Sequence, residues 1–259
     1  MDDAAELHRR DMVELSAALR GMSAGASCME ETARRVVRHL YDNVRDGRTG
    51  QRLPVLARLF KTHPFGQLPP SLQEFARGAA GGQVLSDETS CLTLLASHGD
   101  LPAWNSRHTS VGHQAIPLTS AEMVRQSPMI GQLLEQFGID PQTVIAPQSN
   151  ILLNPEKTAY NIFHVEHAVG SPYVPAQREF VERYGIASVL GFGGPLIEGN
   201  LFAIILFTRK RLTAEAAALF PSIALSAELA LLSFAGNQIF VPDEARAAEL
   251  SVDPESREL

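Results

Sequence analysis

Apolar positions along the chain follow helical spacing first. Met12, Leu15, Leu19 and Met22 recur every three to four residues with charges between them, which predicts a helix over residues 3–22. Ser23-Ala24-Gly25 breaks it. A second helix is predicted from Ser27, where Ser27-x-x-Glu30 has the form of a capping box. Met29, Ala33, Val36, Leu40 and Val44 then make one apolar stripe, ended by Asp46-Gly47-Arg48-Thr49-Gly50. Strand character follows over 54–61 (PVLARLFK) and 89–97 (TSCLTLLAS), with a short helix over 69–77 between them. A polar loop over 98–112 leads to the apolar stretch 114–118. Ser120 caps a predicted helix to about Phe137, ended by Gly138.

Beyond the long connection that ends near Pro155, the pattern turns to strands. Residues 160–165 read as a strand, 175–184 as a helix and 185–196 as a strand, followed by a turn at Glu198-Gly199-Asn200. Residues 201–208 (LFAIILFT) are apolar at nearly every position, the mark of a strand buried on both faces in the middle of a sheet. Thr213 caps a last helix that runs to about Phe234, and Pro221 kinks it or marks its real start. Helices bracketing an antiparallel sheet give an α+β fold. The division expected is an N-terminal helix (1–24), a main domain (25–238) with an insertion at about 98–158, and a mobile acidic tail (239–259).

Composition narrows the function classes. Of 259 residues, 45% are hydrophobic and 20% charged, as in ordinary globular chains. Twenty-two basic residues against 29 acidic give a net charge of −7, so no general footprint for nucleic acid is present. Two cysteines, Cys28 and Cys91, exclude a disulfide scaffold and fit a reducing compartment. The start, Met-Asp-Asp-Ala-Ala-Glu, is acidic where a signal peptide is basic, so a cytoplasmic protein is expected. The segment 216–236 is apolar and about long enough to span a membrane, but it carries Glu228. A packed core or interface helix is the expectation, with no membrane partner.

Histidine carries the candidate chemistry. His98, His108, His113, His164 and His167 fall in the regions that form a pocket in such an arrangement. Imidazole ligates haem iron, zinc and non-haem iron. On a strand, His164 and Glu166 share a face while His167 points away, so His164 and His167 converge on a metal only if the backbone turns there. Otherwise they are polar strand-end residues. The loop 100–108 holds the only Trp, Trp104, and offers either a ligand lid or a side chain folded back onto the core. Cys91 reads as a buried small hydrophobe. Gly191-Phe192-Gly193-Gly194 reads as a strand bulge or a close approach. No catalytic motif is found, so no enzyme is expected and the output is a change of shape.

Four segments resemble the GAF domain: Phe163-His164-Val165-Glu166-His167-Ala168, the strand Tyr184–Leu190, the hairpin Pro195–Leu206, and Leu212-Thr213-Ala214-Glu215. Residues 58–64 also resemble GAF-type sensor regions of bacterial histidine kinases. Glu166-His167-Ala168 stands where the family pattern has an Asp before Ala. The resemblance implies a sensory module with a small-molecule or tetrapyrrole pocket on one sheet face, paired through terminal helices. Ligand contacts are expected from Trp104, His108, His113, His164 and Glu166, with helix 121–137. The alternative is a haem- or metal-binding sensor of gas or redox state using His164 and His167. A homodimer through helices 3–22 and 213–235 is expected, with a signalling protein as a further partner.

Overall fold

The computed structural model describes residues 4–137, 140–145, 162–196, 199–234 and 238–241. Its centre is an antiparallel sheet. β1 (Pro54–Pro64), β2 (Ser90–Gly99), β3 (Ala115–Pro117), β4 (Ile162–Val165), β5 (Ser188–Pro195) and β6 (Leu201–Thr208) lie in the order β3-β2-β1-β6-β5-β4. β6 is therefore central, paired with β1 on one side and β5 on the other. Its apolar run explains that place. Phe202, Ile204 and Leu206 enter the core on one face, and Ala203, Ile205 and Phe207 enter the core on the other.

The fold is α+β. One face of the sheet is covered by α1 (Arg9–Arg20), α2 (Met29–Asn43) and α8 (Pro221–Leu232). α2 lies on β1 and β2, α8 lies on β5, and α1 packs on α8. Leu15 and Leu19 of α1 are buried in this same core, so the N-terminal helix is part of the domain it precedes. The Ser16 and Ser226 hydroxyls meet at 2.6 Å where α1 crosses α8. The segment 214–232 is long and apolar enough to cross a membrane, yet half of it is buried inside the domain.

The other face is covered by shorter pieces. α3 (Pro70–Ala79), between β1 and β2, packs instead on Cys91 and Ala115, on the side covered by α1, α2 and α8, and short 3-10 turns follow β2. After β3 come α4 (Ala121–Gln126), α5 (Pro128–Gln136) and α6 (Pro141–Ile145), and before β5 a π-helical turn, Gln177–Glu182. A further short helix, α7 (Ala214–Ala217), precedes α8.

Several expectations are corrected. The helix expected over 120–137 is two helices, because Pro128 at the start of α5 excludes a helical conformation for Ser127. The helix expected over 175–184 is one π-helical turn entered through Ala176 at φ 55°. The N-cap of α2 is Cys28 rather than Ser27 and it makes no side-chain cap bond, while Glu31 accepts from the Ser27 amide at 2.8 Å and from its hydroxyl at 3.0 Å. Glu30 instead turns inward. Pro221 marks the start of α8, and Thr213 caps α7 by accepting from the Ala216 amide. Gly191 and Gly193 form no bulge, since β5 and β6 pair in unbroken register. They mark a close approach: a Cβ at Gly193 would lie 2.1 Å from the Phe202 carbonyl oxygen. Of the expected turn at 198–200, Glu198 lies outside the described residues, while the Leu196 amide donates to the Asn200 carbonyl at 2.6 Å. The tail expected over 239–259 begins as a packed segment: the Glu30 amide donates to the Ile239 carbonyl. Residues 242–259 lie outside the described ones, as does much of the expected insertion.

Candidate functional site

A cavity of about 350 Å3 lies between the second sheet face and α5. Its floor is Phe60 and Thr62 of β1, Leu92 of β2, Ile116 of β3 and Leu201, Ala203 and Ile205 of β6. Met129, Ile130, Leu133 and Leu134 of α5 form the roof, and Phe137, Val144 and Pro175 close the sides. The lining is almost wholly apolar, with Thr62, His113 and Ser127 as its polar side chains. The chain builds this space from sequence. The break at Ser127–Pro128 lets α5 cross the sheet as a separate short helix, and Ala203 leaves room where neighbouring β6 residues are large. The size and chemistry suit an apolar small molecule.

A wider groove of about 820 Å3 runs past Pro64, Asp87, Thr89 and Leu118. It is bordered by loop residues such as the nearly fully exposed Val84, and it encloses less of any ligand.

The expected ligand residues are dispersed. His113 lines the cavity at its exposed rim, its Nδ1 3.2 Å from the Val111 carbonyl. Desolvation first, and then the charge of Arg58, hold its imidazole below its ordinary value. Trp104 does not line the cavity. It folds back onto the sheet, edge-on to Tyr184 at 4.7 Å and to Phe180 at 5.8 Å. Its ring serves packing there. His108 lies near the other sheet face, its Nε2 3.9 Å from Glu30.

His164 also points away from the cavity. Phe163 and Val165 of β4 enter the cavity-side core, so alternation puts His164 toward the helices. There its Nε2 donates to the Leu212 carbonyl at 2.9 Å, and burial lowers its pKa. Glu166 is ion-paired with Arg211. His167 is exposed just past the strand. The pair offered as haem or metal ligands is thus not assembled into a site: one imidazole nitrogen is already taken by a carbonyl, and the other ring faces solvent. No group of three or more His, Cys, Asp or Glu that could hold a metal occurs among the described residues. Burial pushes the Cys91 thiol up to about 12, as for an inert core residue.

Sequence reasoning passed over two other polar sites. On the helix-covered face, Arg107 grips Glu30 with two bonds, at 2.8 and 3.1 Å, and the side chains are 5% and 4% exposed. The Val241 amide also donates to Glu30, and Phe240 lies between Arg107 and His63. On the cavity face, Arg58 of β1 has a buried Nε with no partner, and the buried Ser97 hydroxyl beside it has none either. The signal for Arg58 is a charge flanked by apolar residues, Leu56-Ala57 before it and Leu59-Phe60 after it, in the first half of β1.

No protein-family model matches the chain, and no curated protein matches it. Among solved structures it is similar to the GAF domain of a phosphoenolpyruvate-protein phosphotransferase from Coxiella burnetii, with a TM-score of 0.45, 12% identity, and coverage of 94% of this chain and 99% of that one. It is also similar to the phycoerythrobilin-bound GAF domain of a cyanobacterial phytochrome, with a TM-score of 0.41, 11% identity, and coverage of 88% and 98%.

Proposed function

We propose that this is a cytoplasmic GAF-like sensory domain that takes an apolar small molecule into the cavity under α5 and signals by changing shape. The observation that carries the reading is the cavity itself: an apolar space of about 350 Å3 left open in a domain whose other sheet face is filled. The four GAF-like segments support it, because they fall on β4, β5, the β5–β6 hairpin and the start of α7, in the expected order. The reading assigns the chain no covalent chemistry.

The test uses 1-aminoanthracene, a neutral apolar fluorophore. It is expected to bind one equivalent with enhanced emission, and Leu133→Trp, which fills the space from the roof, is expected to abolish binding while circular dichroism stays unchanged. Equal binding by both proteins would overturn the reading.

Output through a second copy is part of the same proposal. Leu225 and Leu229 stand one turn apart on α8 and are 43% and 46% exposed, and Val13 on the adjoining α1 is 66% exposed. A two-fold contact would cover this strip. Sedimentation at micromolar concentration is expected to give a dimer, and Leu229→Glu a monomer of unchanged fold. A monomeric wild-type chain would refute the arrangement.

A further inference from the structure

Charged side chains are rarely left unpaired beside an apolar space, because desolvating a charge is costly. Arg58 is such a case. On β1 it precedes Phe60 and Thr62 on the same sheet face, and those two line the cavity. Across one side it pairs with Ile205 of β6, which also lines the cavity. Across the other it pairs with Ser97 of β2. Directly opposed residues of antiparallel strands project to the same face, so the Arg58 guanidinium and the Ser97 hydroxyl stand together.

A register shift helps to place them. Leu59 pairs with Ala96 but Phe60 pairs with Leu94, so β2 carries one extra residue there. Leu95 and Ala96 both enter the helix-side core, and Ser97 returns to the cavity face. Without the bulge, Ser97 would face the helices.

Among the described residues no carboxylate pairs with Arg58, its Nε is buried without a partner, and Ser97 Oγ is buried without one. Burial lowers the Arg58 pKa to about 10, so the group remains a cation at neutral pH. His113, on the cavity rim, is close enough to feel that charge. Arg58 and Ser97 are not in the cavity lining but stand on the same sheet face next to its residues Phe60 and Ile205, and with His113 on the rim they put hydrogen-bond donors and a positive charge beside the apolar space.

We propose that the cavity binds an apolar carboxylate, with the alkyl or aromatic body under α5 and the carboxylate on Arg58 and Ser97. A guanidinium presents its N–H groups in a fork that matches two carboxylate oxygens. A ligand of this class covers the apolar wall and brings an anion to the guanidinium at once, whereas a neutral apolar molecule leaves the buried Arg58 Nε and Ser97 hydroxyl without a partner among the described residues. The proposal rests on the cavity being a ligand site, so the experiment separates the two ideas.

In the full-length chain, bound 1-aminoanthracene is titrated with decanoate and, separately, with 1-decanol at neutral pH. Both are expected to displace the probe, decanoate at concentrations roughly tenfold lower, the scale of a charge-assisted hydrogen bond. Arg58→Leu is expected to erase that advantage and leave displacement by decanol within about twofold, since only the charged contact is removed. Ser97→Ala removes a hydroxyl and no charge, and is expected to weaken decanoate alone by a few-fold. Equal displacement by acid and alcohol in the wild-type chain would overturn the carboxylate anchor and leave the cavity reading standing. So would an advantage for the acid that survives Arg58→Leu. Displacement by neither compound would overturn the cavity reading and the anchor with it.

Discussion

The two faces of the sheet solve the same problem in different ways. Toward α1, α2 and α8 the apolar surface is filled: Phe192 and Phe220 meet at 5.2 Å, and Leu19, Met29 and Leu40 are fully buried. Two buried acids there are answered in kind, although both ring nitrogens of His63 have no hydrogen-bond partner among the described residues. Glu30 meets Arg107, and the fully buried Asp46 accepts from Lys210 Nζ at 2.6 Å and from Thr49 at 2.8 Å. Toward α5 the surface is left partly open, and Arg58 and Ser97 have no answer among the described residues. Strands with equally apolar sides therefore support one packed face and one vacant face. What distinguishes them is the length of the covering helices and the space those helices leave.

Truncating side chains should expose the difference most strongly. Phe220→Ala is expected to cost about 3–5 kcal/mol, because Phe220 is fully enclosed and its neighbours cannot collapse into the space. Leu133→Ala, on the partly exposed roof of the cavity, is expected to cost about 1 kcal/mol, below the usual range for a packed leucine. Urea midpoints of the two variants measure both. Similar losses would mean that the α5 face is packed as firmly as the other.

The polar groups of the filled face give the next effect. Glu30→Ala leaves Arg107 buried with no carboxylate and is expected to cost about 3 kcal/mol. Glu30→Ala combined with Arg107→Met should recover most of the loss, because removing both charges removes the desolvation cost. A double variant no better than the single one would show that the pair is not what holds this corner.

Asp46 adds a dependence on pH. Burial alone would raise its carboxyl, but bonds from Lys210, the Glu6 amide and Thr49 outweigh that and hold it well below the usual carboxylate range. A carboxyl with a depressed folded pKa stabilises fully above its unfolded value, about 4, and loses that contribution as pH falls toward the folded one. The stability gap between wild type and Asp46→Asn is therefore expected to be constant from pH 7 to about 5 and to shrink below about 4. A gap that is unchanged at pH 3 would contradict the assignment.

The packed face was the more legible of the two from sequence, and the reason is local. The run at 201–208 is apolar on every face it has, so it could only be a central strand. The stripe of α2 and the cap at Thr213 depend on residues within a few positions, and they read correctly. The misreadings needed distant partners. Whether Glu30 or Glu31 bonds to Ser27 is decided by Arg107, 77 positions away in the chain from Glu30. Strand alternation placed His164 and Glu166 on one side, but two apolar sheet faces gave no means of telling the cavity side from the helix side. Trp104 had chemistry suited to a lid and was claimed by Phe180 and Tyr184, more than 70 residues downstream. Arg58 and Ser97 meet only because a one-residue bulge resets the register of β2.

One small effect is expected with the opposite sign. Arg58→Leu removes a partly buried cation that has no partner among the described residues and puts an apolar side chain beside Phe60 and Ile205. Removing an uncompensated charge from such a place stabilises a protein, while the loss of the guanidinium's remaining hydration reduces the gain. A rise of about 1 kcal/mol in the free energy of unfolding without ligand is expected, read as a higher urea midpoint at unchanged slope. In saturating decanoate the order should reverse, because the acid stabilises the native wild-type chain by mass action and binds the variant less tightly. The contrast tests the vacant face directly. An Arg58 that merely supported the fold would make the variant less stable in both conditions, whereas an Arg58 held ready for a ligand makes it more stable in one and less stable in the other.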